Sequence, residues 1–378
     1  MRLKNLAASL IVATTAASGF AGVASASGSS HTSVNYATCT DLKSCGGMSA
    51  LVAAAKKEGQ LNVIALPRNW ANYGTLMDEF SKMYGIHITD TNPNGSSANE
   101  ITAVEAPSTK QSPDAVDVGT SHATQNPGLW ATYRVATWNM IPSNAKSPTG
   151  TWADDYGGIV AIGYNSAVVK TAPTSFKSLL NPMYKNQVAI NGDPNQSGSG
   201  FAAVLAASLA NKGTAGNITP GISYFAALKK AGNFVPVTAG PNTVQSGQTP
   251  IVVWWDYLQA SEIGSVVKTW KIVIPKDAVY AGYYTQAIPK NAPDPAAARL
   301  WEEFLYSKQG QNGFLAGLTR PVELAAMIAN KTVNTSLLKA LPVIPKGAPK
   351  TVVASPAQQT TDASVLASKW ASEVGTVK

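Results

Sequence analysis

The first stretch in which apolar residues recur at helical spacing is "GGMSALVAAAKKEGQ", and the period then changes several times along the chain. "LNVIAL" reads as a buried strand, "WANYGTLMDEFSKMYG" as an amphipathic helix ended by Gly85, and "IHITDTN" as a second strand. Two strands joined by a helix of that length make a βαβ unit, which predicts a parallel sheet. "SSANEITAVEA" continues as helix and "AVDVGTS" as a short strand, so the first part of the chain is α/β. Around "DDYGGIVAIGYNS" an apolar alternating strand appears. It leads into "TSFKSLLNPMYKNQVAINGDPNQSGSGFAAVLAASLA", where a strand, a Gly-Ser loop and an Ala-rich helix begin a second α/β unit. After "SYFAALKKAG", "VQSGQTPIVVWW" and "WKIVIPKD", the strand "YAGYYTQAIPKN" precedes a strongly amphipathic helix, "DPAAARLWEEFLYSKQGQ". A return crossing to the first unit is placed near Tyr280 to Gln286. "PVIPKGAPKTVVASP" is Pro-rich and extended, "DASVLASKWASEVG" is a last helix, and no internal repeat of fixed period is visible.

The length of 378 residues suits two domains, and 45% apolar with only 13% charged residues describes a globular chain with a neutral surface, as exported proteins have. The N-terminus agrees. Arg2 and Lys4 precede an apolar run from about Leu6 to Ala17, and Ala24 and Ala26 fit a small-residue cleavage site, so residues 1–26 read as a signal peptide. No cysteine stands at the cleavage point for a lipid anchor, and secretion or a periplasmic location is expected. Cys39 and Cys45, the only cysteines, lie in a polar leader over residues 27–46 and are expected to form one local disulfide. The formal charge of +8 is scattered in single residues and short "KK" pairs, without the clustered stripe that nucleic-acid binding uses.

Enzyme signatures are missing. The chain has three histidines and contains no G-x-S-x-G, no H-E-x-x-H, no Walker loop and no G-x-G-x-x-G after a strand. Asp154 and Asp155 form a carboxylate pair, but neighbours on an extended segment diverge, which favours a hinge or surface role over acid–base work.

"LVAAAKKEGQLNVIA" with "LMDEFSKMYGIHI", "SFKSLLNPMYKNQVAINGDP", "QSGQTPIVV" and "AIPKNAPDPAAARLWEEFLYSKQGQ", in this order and spacing, resemble the extracellular solute-binding proteins of ABC importers. The resemblance is to the two-lobed class that includes polyamine, ferric-ion, thiamine and phosphonate binders, and it covers nearly the whole chain after the leader. It implies an α/β, two-lobed periplasmic-binding-protein fold of type 2, with the solute held in a cleft between lobes that close by hinge motion. Residues 47–158 with 285–378 are expected as lobe 1 and 159–284 as lobe 2. A membrane permease is the implied partner, a monomer the implied state, and no cofactor or metal is implied.

Ligands of open α/β sheets sit beyond the carboxyl ends of the strands, which directs attention to the loops there. Asn69, Trp70 and Tyr73 resemble the "NW" and following Tyr of polyamine-binding relatives, where flat faces meet an alkyl chain or an ammonium; the alternative is a hydrophobic staple. Ser96, Ser97, Thr120 and Ser121 stand at helix starts, where they either cap or offer N–H groups to an anion. Asp193 matches an acid that polyamine binders turn to an amine, although an Asx-turn before Pro194 explains it equally. Ser197 to Ser199 would suit phosphate instead.

In "IVVWWDYLQA", strand alternation sends Trp254 and Asp256 one way and Trp255 and Tyr257 the other, so one tryptophan faces the core and one the cleft. Asp256 is either a helix cap, with Gln259 completing a capping box, or a cation partner. Tyr283 and Tyr284 on the return strand invite comparison with ferric-binding relatives. Those carry their tyrosine pair on the segment matching "WWDY", where this chain has only Tyr257. The expectation is a non-catalytic importer component for an amine or polyamine. An anionic solute held by "QSGSG", Arg68 and Ser96, ferric ion, or a secreted hydrolase are the alternatives.

Overall fold

In the computed structural model, which describes residues 34–378, the strands gather into two sheets. The signal peptide expected at 1–26 lies outside the described residues. Cys39 and Cys45 are joined, and the described part of the leader is tied to the helix carrying Arg299, whose guanidinium donates to the carbonyls of Ala37 and Cys39 and to Pro295 O in its own helix.

Helix α1 (Met48–Glu58) precedes β1 (Gln60–Ile64), α2 (Tyr73–Tyr84) and β2 (His87–Thr91). β1 and β2 pair in parallel, as the βαβ pattern predicts. α3 (Ser97–Glu105) leads to β3 (Val116–Gly119) and the short α4 (Thr120–Gln125). The other strands are β4 (Ala153–Asn165), β5 (Val188–Ile190), β6 (Phe234–Thr238), β7 (Ile251–Trp255), β8 (Trp270–Val273), β9 (Ala281–Ala287) and β10 (Arg320–Pro321). The larger sheet runs β3-β9-β4-β7-β5-β6, with β8 and β10 also on β4.

β5 pairs in parallel with β6 and β7, but the centre is antiparallel, because β4 and β9 run between the two α/β units in opposite senses. The first residues of β4 pair with β9 and β10, and its last with β7 and β8. Its glycines allow the crossing. A Cβ on Gly157 would lie 2.1 Å from Gly282 O, so only glycine lets the two strands approach there.

Two elements depart from the sequence pattern. The last helix starts at Pro356 rather than at Asp362, because Ser355 accepts from Gln358 N–H, Gln358 returns a bond to Ser355 N–H, and Pro356 occupies the first turn. It packs on α4 and on the helix Thr219–Lys230, one from each α/β unit. The tail then reaches β6, with Lys378 N–H donating to Pro236 O and Thr238 N–H to Lys378 O. After β7 the chain makes a short helix, Asp256–Leu258, that widens into a π-helical turn, Gln259–Ile263. Gln259 forms no capping box; its amide donates to Ala161 O and Trp254 O.

Candidate ligand-binding cleft

A cleft of about 610 Å³ lies where the loops after β1, β2, β5 and β6 meet Asp117 of β3, the end of β7 and the middle of β9. Those four loops follow strand carboxyl ends, where open α/β sheets hold ligands. One wall is aromatic. Trp70 meets Tyr284 edge-on at 5.5 Å and Trp254 at 6.2 Å, and Trp254 Nε1 donates to Ser199 Oγ.

The floor is acidic. Asp117, from the middle of the apolar strand β3, is buried; its Oδ2 accepts from Tyr73 Oη and Tyr156 Oη, while its Oδ1 has no protein partner. Glu100, in the first turn of α3, uses Oε1 to accept Asp117 N–H. Burial raises the pKa of both carboxyls. Glu262, offered by the π-helical turn, also lines the cleft, and burial pushes it up to about 7. Asp193 makes a fourth carboxylate at the rim, and Lys378 is the one basic side chain among the described lining residues.

Asn69, Trp70, Ser96, Asp193, Ser197, Trp254 and Tyr284 are brought together in this cleft. Several are already engaged. Ser96 and Ser197 cap α3 and the helix Gly198–Ala210 by accepting from Asn99 and Gly200 N–H. Asp193 accepts Asn195 N–H in an Asx-turn and Val377 N–H from the tail.

The remaining expected residues lie elsewhere. Tyr73 is fully buried beneath the floor, because its phenol reaches two carboxyls there. Thr120, Ser121, Trp255 and Tyr283 line a separate void of about 10 Å³ behind Tyr284, and Trp255 stacks on Tyr280. Asp256 faces away from the cleft. Its Oδ2 pairs with Arg320 at 2.8 Å and its Oδ1 accepts Ile159 N–H, so its charge is already matched. Arg68, expected beside an anion, pairs on the surface with Asp78. Asp154 and Asp155 are buried rather than exposed and do diverge: Thr285 donates to Asp154, and Gln286 to Asp155. His122 lies outside the cleft, and burial lowers its pKa to about 4.

Asp117, Glu100 and Glu262 were missed by reading loops alone. The available signal was an acid between two valines in a four-residue apolar strand, a position that a charge occupies only with a purpose.

A sequence model of the bacterial extracellular solute-binding protein family matches residues 118–343, more than half of the chain. This chain belongs to that family. The solute-binding protein is thus the capturing component of an ABC importer, a transport family rather than an enzyme class, acting outside the cytoplasm on a small solute with a membrane permease as partner. Solved structures agree on the fold. The periplasmic binding protein AfuA of Actinobacillus pleuropneumoniae, with fructose-6-phosphate bound, superposes with a TM-score of 0.64 at 18% identity, over 84% of this chain and 98% of that one. Iron-bound HitA of Pseudomonas aeruginosa gives 0.58 at 16% identity, over 82% and 97%. A Listeria monocytogenes protein named for spermidine/putrescine ABC transport gives 0.57 at 12% identity, over 83% and 99%. No curated protein sequence matches the solute-binding protein.

Proposed function

We propose that the solute is a small amine, with diamines and polyamines the favoured class. The observation that carries this is Asp117 Oδ1, a buried carboxylate oxygen without a partner, set into a cleft whose walls are Trp70, Trp254 and Tyr284. An ammonium would satisfy that oxygen and lie against aromatic faces, an attraction of about 0.5 to 2 kcal/mol. Four lining carboxyls against the single lysine, Lys378, offer acceptors to an ammonium and little to balance an anion. A phosphate would instead meet Glu100 and Asp117 without Arg68 to neutralise it.

The lobes are assigned as residues 47–158 with the strand and helices from 285 onward, and 159–284, the last helix bridging both. Closure turns on β4 and β9, and the molecule acts as a monomer exported by its first 26 residues. A thermal-shift series tests the ligand. Putrescine or spermidine at about 100 times Kd should stabilise the protein by about 2.7 kcal/mol, and Asp117→Asn should remove the effect. A shift with fructose-6-phosphate or ferric citrate and none with amines would reverse the assignment.

A further inference from the structure

The cleft carboxylate belongs to a chain of hydrogen bonds that runs from the solute site into the crossing strands. On the cleft side, Trp70 Nε1 donates to Tyr156 Oη at 2.6 Å, and Tyr156 Oη donates to Asp117 Oδ2 at 2.8 Å. On the inner side, Tyr73 Oη lies 3.0 Å from Asp117 Oδ2 and 3.2 Å from Asp155 Oδ2. Gln286 Nε2, on β9, donates to Tyr73 Oη at 2.8 Å and to Asp155 Oδ2 at 3.1 Å. Asp155 Oδ1 accepts Tyr156 N–H at 2.7 Å.

A phenol has a single hydrogen, so Tyr73 can donate to only one of the two carboxyls. The second contact is a hydrogen bond only if the other carboxyl carries a proton and donates back to the Tyr73 oxygen. With one proton between the two carboxyls, two arrangements satisfy every contact. In one, Asp155 is protonated and the negative charge sits on Asp117, facing the cleft. In the other, Asp117 is protonated and the charge sits on Asp155. The surroundings do not offset two charges. The other titratable groups around the pair are Glu100, Asp154, Tyr257, Tyr284 and Tyr306, and neither carboxyl has a basic side chain within ion-pair distance among the described residues. Like charges so close cannot both persist in a buried site, and burial favours the protonated form of each.

We propose that Asp117 and Asp155 hold one proton between them across the Tyr73 hydroxyl, and that a bound ammonium draws the negative charge to Asp117 by sending that proton to Asp155. In the transfer the Asp117 O–H bond breaks as a new Tyr73 O–H bond forms, and the proton Tyr73 carried before passes to Asp155. Nothing is exchanged with solvent and no other reactant is consumed. Asp155 is a positioning residue: it never meets the solute, yet it decides whether the cleft presents a charge. The ligand half rests on the amine reading above; the shared proton does not.

Two measurements separate them. Calorimetric titration of the full-length protein with putrescine at pH 6.5, in buffers of different ionisation enthalpy, reads the protons released. The shared proton predicts about zero, whereas release of about one proton per putrescine would overturn it. Asp155→Asn, which fixes the charge on Asp117, should tighten putrescine binding by about twofold or more, as a fully populated competent state requires. Asp117→Asn should weaken it by about 30-fold or more. Weakening by Asp155→Asn would also overturn the proposal. Infrared difference spectra of the solute-free protein need no ligand: the double variant of Asp117→Asn with Asp155→Asn should remove one protonated carboxyl and one ionised carboxylate. Loss of two protonated carboxyls, or of none, overturns the shared proton. If putrescine gives no heat while the infrared result holds, the amine assignment fails and the shared proton stands.

Discussion

At the scale of single residues, chemistry follows from what each charge already touches. Asp256 follows the carboxyl end of β7 and Asp117 lies within β3, and both are buried. Asp256 has Arg320 and a backbone N–H; Asp117 has two phenols on one oxygen and nothing on the other. Only the second is free to answer a cation. Removing Asp256 should therefore act on stability. Asp256→Ala leaves Arg320 and Ile159 N–H without their partner and should cost about 3 to 5 kcal/mol, measured by urea unfolding. Trp70 belongs to the cleft instead. Trp70→Ala should weaken putrescine binding about 2- to 30-fold by calorimetry, the range that loss of an ammonium–aromatic contact allows. The division between Trp254 and Trp255 was legible in the sequence, because strand alternation fixes opposite faces. The fate of Asp256 was not, since Arg320 lies 64 residues away and no local pattern couples them.

Elements bring these residues together, and local periodicity revealed most of them. The βαβ start, the crossing strands and the amphipathic helix Pro295–Leu305 all carry their period in the sequence. What it could not carry is pairing between segments. The antiparallel centre of the larger sheet depends on β4 meeting β9 more than 100 residues later, and a π-helical turn of five residues is too short to separate from an α-helical one by spacing.

Small residues at helix starts let the two α/β units meet beside the cleft. Ala98 N–H donates to Gln196 O, and a Cβ added to Gly198 would stand 3.1 Å from the Cα of Gly119. Gly198→Val should wedge the two α/β units apart. Overpacking of about 1 to 3 kcal/mol predicts about 5- to 150-fold weaker putrescine binding, with a larger radius of gyration in small-angle scattering at saturating putrescine. An unchanged affinity would show that closure does not need this contact.

At the scale of the whole molecule, the +8 formal charge conceals an interior rich in carboxyls and poor in counter-charges. Among the described residues the ion pairs are Arg68 with Asp78 on the surface and Arg320 with Asp256 inside. Many buried acids anchor backbone instead: Asp114 accepts Asn62 N–H and Asp294 N–H, joining β1 to the start of the helix Pro295–Leu305. Burial pushes Asp114, Asp154 and Glu323 up to about 7 and Glu302 to about 8, from ordinary values of 3.8 and 4.5. The consequence for stability has a definite sign. Between about pH 4 and pH 7 the unfolded chain has released these protons while the folded protein keeps them, so folding takes up protons and is favoured by acid. The opposing effect, repulsion among surface cations as exposed carboxylates begin to protonate, is weakened over about 8 Å at physiological salt, whereas buried groups are screened far less. The solute-free protein should therefore melt about 2 °C or more higher at pH 5 than at pH 8 in scanning calorimetry at constant ionic strength. A melting temperature that falls steadily from pH 8 to pH 5 would mean that these carboxyls are ionised in the folded state, stabilised by contacts stronger than the backbone bonds described.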